Sequence, residues 1–468
     1  MKPIKDNLAL LTDLYQLTMI QAYFDDGREN DTAAFDYFFR KIPFGGGYVV
    51  FAGLSELLEN IRNLKFTDSE IIYLKKIGFK STFLDYLKEF SFKGDVFSFR
   101  EGNIVFPEEP ILSVRGKLIE AQLVESLLLN TLNFYSLIAT KAARMRSVAG
   151  DKILGDFGLR RSHGLGGIQA SKAAIIGGFD STSNVLAAQL FDLKPVGTMA
   201  HSYIQSYSDE LTAFRKYAES QPDNCTLLVD TYDTIKSGVP NAIKIAKELE
   251  AAGKKLKGIR LDSGDLISLA KQSRKMLDDN GLNYVKIVAS NQLDEYMIEK
   301  IIKENAPVDI FGVGTNLVTG QPDAALDGVY KLSVVNDKPS LKLSESEEKI
   351  TLPGLKQVFR FTDSNGMYAG DAIGLEAEDK IDNVFEHHNG NKIFNTEDLS
   401  MSKSLQKVIE NGNIIIKPYS PEDSKIIIKE NLKKLPEKYK KLKNVETYPV
   451  GISKNLLEEL NSLKKKFE

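Results

Sequence analysis

Between residues 151 and 330 the chain alternates short β-branched runs with helical patterns, and each run ends in a polar residue or a glycine. No other feature constrains the fold as strongly, because strands joined by helix-length crossovers pair in parallel. The clearest runs cover residues 226–229, 258–261, 284–289 and 308–311. They stop at Asp230, Asp262, Ser290 and Gly312, which are 32, 28 and 22 residues apart. Helical patterns over 239–252, 266–279 and 292–305 fill the gaps and end at Gly253, at Gly281 and before Pro307. In the second of these, Leu266, Leu269, Ala270, Ser273 and Leu277 keep to one helical face. Runs at 152–155 before Asp156 and 196–200 before His201 bring the total to about six or seven β/α units. The pattern predicts an α/β fold: an irregular or incomplete α/β barrel with polar residues gathered at the C-terminal ends of its strands. An open doubly wound sheet is the alternative, since the pattern does not reveal closure.

The flanks read differently. Helical patterns lie near 13–23 and 53–64, a strand pair near 32–39 and 48–51, and a long helical run starts at Leu118. Beyond residue 330, hairpins are expected at Asn336-Asp337 and Asn365-Gly366. The economical division is an N-terminal α+β domain over 1–148, the α/β barrel with the active site over 149–330, and a C-terminal segment over 331–468. That segment, with hairpins and a helical tail, packs with the N-terminal domain into a sandwich-like α+β unit built from both chain ends. The tail's lysines alternate with Glu437, Glu446, Glu458 and Glu459, as on a solvated helical surface.

Charge and cysteine content exclude several classes. Sixty-one basic against 64 acidic side chains leave a net charge of −3, without the footprint of a general nucleic-acid binder. Cys225 is the only cysteine, so neither a disulfide framework nor a cysteine-based zinc or iron–sulfur site is available, and a reducing compartment fits best. The first 16 residues lack the continuous apolar core of a signal peptide. The most apolar long stretch, 118–143, is interrupted by polar residues such as Glu120, Glu125 and Lys141. A cytoplasmic chain that binds neither nucleic acid nor membrane is the expectation.

Four histidines are present. His387 and His388, in a polar Glu-His-His-Asn-Gly stretch, read as surface loop residues. His163 follows Arg160 and Arg161 in DFGLRRSHG, where an anion-binding role and a plain loop role are both open. His201 in VGTMAHS sits where a strand feeds a loop. Taken alone it reads as a structural histidine, but a carboxylate from a neighbouring strand end would make it a catalytic candidate, and Asp230 is so placed. In IRLDSGDL, Asp262 or Ser263 could simply cap the next helix. Yet Arg260 alternates with Ile259 and Leu261, and a cation beside a carboxylate suits an anionic sugar. The glycines of FGVGTNL would allow close backbone approach to a phosphate.

Taken together, LLTDLYQLTM, FRKIPFGGGY, IATKAAR, DFGLRRSHG, GGFDSTSNV, GTMAHS, VDTYDT, IRLDSGDL, ASNQLDE and FGVGTNL resemble the nicotinate phosphoribosyltransferases, of the type II phosphoribosyltransferases, over nearly the whole chain. The resemblance implies formation of nicotinate mononucleotide and pyrophosphate from nicotinate and phosphoribosyl pyrophosphate in NAD biosynthesis. ATP would act as co-substrate through a phosphohistidine, with Mg²⁺ as cofactor; the sequence does not identify residues that hold the metal. It implies that His201 accepts the phosphoryl group, that Asp230 orients it, and that Asp262 binds ribose hydroxyls. Phe157 and Tyr15 would stack on the pyridine ring, Tyr15 from the second subunit of a homodimer with shared active sites. Arg160 and Arg260 would bind the nicotinate carboxylate and phosphoribosyl groups, and Gly312, Gly314 and Thr315 the 5′-phosphate. Ser183 stands where the amide-using relatives carry aspartate, which bears on selection of acid over amide. Ser162-His163, where many relatives have Ala-Gln, and Ser181, where Gly is common, depart from the pattern. Nicotinamide phosphoribosyl transfer is the nearest alternative activity. A phosphosugar-binding barrel of other activity is the more distant one, and it lacks an evident strand-end lysine.

Overall fold

The computed structural model describes residues 8–344 and 349–466. Met1 to Asn7, part of the stretch read for a signal peptide, lie outside the described residues. The chain divides into two compact units, one of residues 138–324 and one of residues 1–137 with 325–468.

The first of these carries the expected alternation. Its strands are β1 (Ile153–Asp156), β2 (Ser181–Thr182), β3 (Thr226–Leu228), β4 (Gly258–Leu261), β5 (Lys286–Ser290) and β6 (Ile310–Val313). They form one sheet in the order β2-β1-β6-β5-β4-β3, parallel throughout. No described pair joins β2 to β3, so the hydrogen-bonded ring of a closed barrel is absent among the described residues. The 196–200 run is not a strand. The one bridge there, Thr182 with Pro195, comes just before it, and it goes no further because proline supplies no N–H to extend a ladder and Gly197 follows two residues later.

Helices α1 (Gly166–Ile176), α2 (Val185–Phe191), α3 (His201–Gln205), α4 (Glu210–Ser220), α5 (Val239–Ala251), α6 (Leu266–Asp279), α7 (Glu295–Lys303) and α8 (Thr315–Val318) separate or follow these strands. Four of these starts, those of α2, α4, α6 and α7, are set by short polar caps. Asn184 accepts from Ala187 N–H, Asp265 from Ile267 and Ser268 N–H, and Asp294 from Met297 N–H. The cap of α6 is therefore Asp265, which leaves Asp262 and Ser263 for other work. Leu266, Ala270, Ser273 and Leu277 of α6 are buried, as their spacing predicts. Cys225, just before β3, is fully buried, and burial pushes its thiol up to about 12.

The other unit mixes both chain ends. Its seven-stranded sheet places strand Thr32–Phe39 between Gly328–Val335 and Leu112–Lys117, all antiparallel, and reaches Gln406–Glu410 beyond Asp95–Ser98. Val49–Val50 pairs with Ile104–Val105 rather than with Thr32–Phe39, so the expected early strand pair does not form. Residues 33–39 are buried without a break; this strand carries no solvent face to alternate with. Hairpins form at both expected turns, with positive φ at Asn336 and Asp337 in one and at Gly366 in the other. Lys356, buried, donates to Leu352, Pro353 and Gly354 carbonyls and pairs with Asp36 at 2.8 Å, which joins strand Lys356–Thr362 to strand Thr32–Phe39 of the seven-stranded sheet. Of the two loop histidines, His388 is exposed. His387 is half-buried against it, and burial lowers its imidazole to about 4. Among the described residues no helix is long and apolar enough to cross a membrane.

Candidate active site

Parallel strands present all their C-terminal ends along one edge, and the residues just past those ends surround a cleft of about 380 Å³. Phe157 follows β1, Ser183 follows β2 and Asp262 follows β4; Arg260 lies within β4, and His201 opens α3. All five, with Arg160, line this cleft. Asp230, two residues past the end of β3, is buried and does not line the cleft.

Arg260 organises the cleft. Its Nε donates to Ser290 Oγ at 2.9 Å, Nη1 to Thr198 Oγ1 at 3.0 Å and Met199 O at 3.5 Å, and Nη2 to Asp262 Oδ1 at 2.8 Å. The guanidinium also lies 5.6 Å from the centroid of the Phe157 ring. Ser290 Oγ donates in turn to Asp262 Oδ1 at 2.5 Å. Burial would raise the Asp262 carboxyl, but the Ser290 hydroxyl, Arg260 and His201 outweigh it and hold the group below the usual carboxylate range.

His201 is placed differently from the sequence reading. Its Nδ1 lies 3.0 Å from Thr231 Oγ1, while Nε2 lies 3.7 Å from Asp262 Oδ2 and 4.0 Å from Asp230 Oδ1. Asp230 gives its Oδ2 to Asp262 N–H at 2.8 Å and Ser263 Oγ at 2.6 Å, so the direct partner of the imidazole is Thr231 and the two carboxylates face its other nitrogen as a pair of charges.

Asp156, at the end of β1, is a buried anchor that the sequence reading passed over. It accepts from Gly158 N–H at 2.9 Å, Ser171 Oγ at 2.7 Å and Thr182 Oγ1 at 2.8 Å, and its backbone carbonyl accepts from Ser183 N–H at 2.7 Å. The carboxylate thus fixes the turn after Phe157, helix α1 and strand β2, and the backbone carbonyl of the same residue fixes Ser183. A signal was available: an Asp ending a strand, with a Ser inside the next helix and a Thr in the next strand. Lys141 and Arg144 in IATKAAR and Glu295 in ASNQLDE form another buried set, at 2.6 and 3.0 Å. These ion pairs pack α7 against the helix Glu125–Ala149, whereas Ser290, at the start of ASNQLDE, serves the cleft through Arg260 and Asp262.

Other expected residues stand apart from the cleft lining. Gly312 has no side chain because a Cβ there would meet the Phe157 ring at 2.6 Å, and Gly314 passes close to the Phe157 carbonyl. Thr315 begins α8. His163 is exposed and does not line the cleft. Ser181 lies within buried β2, not at a helix start. Tyr15 belongs to the other unit, on helix Leu14–Asp25, where it is 49% exposed with its hydroxyl 3.4 Å from Glu125 Oε1.

Residues 10–133 match the family model of the nicotinate phosphoribosyltransferase N-terminal domain, and residues 355–460 that of the C-terminal domain. A nicotinate phosphoribosyltransferase of Bacillus subtilis (strain 168) is 42% identical over 99% of this chain and 97% of its own length. The chain belongs to the nicotinate phosphoribosyltransferase family. A nicotinate phosphoribosyltransferase of Dictyostelium discoideum is 36% identical over 97% of this chain and 88% of its own. The crystal structure of human nicotinic acid phosphoribosyltransferase superposes with a TM-score of 0.87 at 31% identity, covering 97% of this chain and 99% of that one. Membership makes the chain a phosphoribosyltransferase of NAD biosynthesis, and the cleft on the parallel sheet is where its family motifs converge.

Asp156 supplies a test of this framework. Asp156→Ala leaves an N–H and two hydroxyls without their acceptor and should cost about 2–4 kcal/mol. Asp156→Asn keeps an acceptor and should cost less. Burial raises the Asp156 carboxyl, so the fold is penalised as pH rises through its unfolded value; the Asn variant should therefore compare better with the parent at pH 7 than at pH 4. Urea unfolding at both pH values measures this, and an Ala variant as stable as the parent would remove the anchoring role.

Proposed function

We propose that this cleft joins nicotinate to the ribose of phosphoribosyl pyrophosphate, releasing pyrophosphate, with ATP hydrolysis coupled through phosphorylation of His201. The observation that carries the reading is the convergence of Phe157, Arg160, Ser183, His201, Arg260 and Asp262 on one cleft. The pyridine nitrogen attacks the anomeric carbon as pyrophosphate departs, through a cationic sugar, so the chain's task is to position the reactants and stabilise separated charge. Phe157, backed by Gly312, offers a ring face for the pyridine. Arg160, exposed at the cleft's edge, and Arg260 supply cations for carboxylate and phosphate, and Gly312, Gly314 and Thr315 are the candidates for the 5′-phosphate. Asp262 keeps Oδ2 clear of the bonds that occupy Oδ1, which suits a ribose hydroxyl.

A divalent ion of the Mg²⁺ type fits this donor set, because it takes one or two protein carboxylates together with substrate phosphates and keeps its waters. Among the described residues no three His, Cys, Asp or Glu side chains form a closed metal cage, and Asp262 is the carboxylate at the cleft that would hold the ion. When bound, it would neutralise charge on the departing pyrophosphate. The reading of the sheet as an incomplete barrel is supported by a second cavity, of about 970 Å³, lined together by Ile153, Ser181, Thr226, Val288 and Ile310 from five of the six strands.

The purified chain with phosphoribosyl pyrophosphate and Mg²⁺ should form mononucleotide from nicotinate in preference to nicotinamide, with ATP raising the yield. His201→Ala should lose acid-labile phosphate incorporation from γ-labelled ATP; full incorporation in that variant would remove His201 from the role.

Selection of the acid is assigned to Ser183. Its backbone is held by Asp156, and the cap of α2 belongs to Asn184, which leaves the Ser183 hydroxyl to the cleft it lines. An aspartate there would set two negative charges together in a partly dry pocket. Ser183→Asp should shift the kcat/KM ratio of nicotinate over nicotinamide by about 10²-fold towards the amide, corresponding to ~2–3 kcal/mol. An unchanged ratio would return selection to the arginines.

The same reading makes the enzyme a homodimer in which Tyr15 reaches the ring site of the second subunit. Chains of Tyr15→Ala and His201→Ala, each inactive, should regain activity on mixing, since one site of a heterodimer then carries both side chains. Demonstrated chain exchange without recovery would contradict a shared site.

A further inference from the structure

His201 and two of the residues that face it arrive on separate stretches of chain. His201 opens α3, which leads through residues 206–209 into α4. Asp230 and Thr231 follow β3 and lead through the π-helical turn Thr234–Gly238 into α5. The approach of His201 Nδ1 to Thr231 Oγ1, at 3.0 Å, and of Nε2 to Asp230 Oδ1, at 4.0 Å, therefore depends on how α4 and α5 are set against each other.

One buried side chain sets them. Glu210, in the first turn of α4, is 4% exposed, and its Oε2 accepts from Ser237 Oγ at 2.5 Å and from Asn241 Nδ2 at 3.0 Å. Ser237 lies in the turn before α5 and Asn241 in the first turn of α5 itself. The other oxygen, Oε1, is buried without a hydrogen-bond partner. A carboxylate so desolvated is costly, and two donors with the positive ends of two helices offset that cost.

The links from this carboxylate to the cleft are stiff on both sides. The Tyr203 ring, two residues after His201, meets the Tyr217 ring of α4 edge-on with centroids 5.7 Å apart and lies 5.1 Å from that of Tyr207, so α3 is packed on α4. On the other side, Gly238 passes so close to Val229 that a Cβ would stand 1.9 Å from its carbonyl oxygen. Ser237 therefore cannot shift without displacing Val229 and the adjoining Asp230. Phe157 and Ser183, which follow β1 and β2, stand outside this chain of contacts.

We propose that Glu210 is a positioning residue for phosphoryl uptake: by tying the start of α4 to the turn before α5, it sets the separation of His201 from Asp230 and Thr231. The proposal rests on the reading of His201 as phosphoryl acceptor. Loss of the tie lets the two stretches drift apart by fractions of an ångström, which acts on the rate at which the imidazole is phosphorylated. The ring subsite at Phe157 and Ser183 keeps its shape, so the binding of nicotinate is left as it is.

In Glu210→Ala, phosphate incorporation from γ-labelled ATP should slow by about ten-fold, the scale of a lost hydrogen bond to a carboxylate, with the KM values for ATP and for nicotinate within about two-fold of the parent. Glu210→Gln keeps a carbonyl oxygen for the same two donors and should recover most of the rate. Ser237→Ala should slow uptake by about three-fold, and the double variant Glu210→Ala/Ser237→Ala should be no slower than Glu210→Ala, because the partners of one contact are not additive. A parent rate in Glu210→Ala, or in Ser237→Ala where Glu210→Ala does not fold, would overturn the proposal. So would a Glu210→Gln protein as slow as Glu210→Ala, a KM for nicotinate that rises as the rate falls, or a double variant whose two losses multiply. If His201→Ala still takes up phosphate, the reading of His201 fails and the proposal falls with it. If His201→Ala loses uptake while Glu210→Ala keeps it, that reading stands and the tie through Glu210 is wrong.

Discussion

The guanidinium of Arg260 is the interaction on which the cleft depends. A planar cation with donors in a fixed fork reaches acceptors on three separate stretches of chain: Ser290 at the end of β5, Thr198 and Met199 before α3, and Asp262 beyond its own strand. It therefore ties the segment that delivers His201 to the strands that deliver Asp262. It also leans over Phe157, the aromatic wall of the cleft. A lysine at this position would offer a point charge without the fork, and the three stretches would lose their common reference.

Buried carboxylates extend this logic away from the cleft. Asp156 and Glu295 are each fully buried, and each is tolerated because its charge or lone pairs are matched locally: Asp156 by an N–H and two hydroxyls, Glu295 by Lys141 and Arg144. Removing one partner of such a set leaves a desolvated group behind, which is why these residues recur in the motifs beside those of the cleft. IATKAAR and the Glu295 end of ASNQLDE thus carry buried ion pairs between helices, whereas DFGLRRSHG, GGFDSTSNV, GTMAHS and the Ser290 end of ASNQLDE reach the cleft.

The alternation of elements was readable because parallel strands buried on both faces leave continuous apolar runs, and helices between them leave a period of 3.6. β4 and α6 fall on the expected residues, and β3, β5, β6 and α5 within a few of them. The run at 196–200 misled, since its composition suits a strand while Pro195 and Gly197 deny it a ladder. The early strands misled in another way: 32–39 and 48–51 are close in sequence and extended, yet each pairs with residues farther along the chain. Within the cleft, Asp262 showed itself as a polar residue past a strand end and Arg260 by its alternation with Ile259 and Leu261, while His201 was read at the end of a run that forms no strand. The Thr231 contact did not, because which of two adjacent residues meets a distant histidine depends on twist and side-chain direction.

By itself, then, the order of residues determined the succession of strands and helices, the parallel sense of the sheet, the family, and the set of polar side chains available at the strand ends. Local periodicity and motif spacing act over a few turns of chain, and they survive in one dimension. The tertiary structure alone decided which of those side chains meet: that Asp265 caps the helix and releases Asp262, that Gly312 yields its space to Phe157, and that the imidazole of His201 lies 3.0 Å from Thr231 Oγ1 and 4.0 Å from Asp230 Oδ1. The last of these turns on a difference of about 1 Å between groups about 30 residues apart. A hydrogen bond and a charge contact differ by that distance, and only the packed chain sets it.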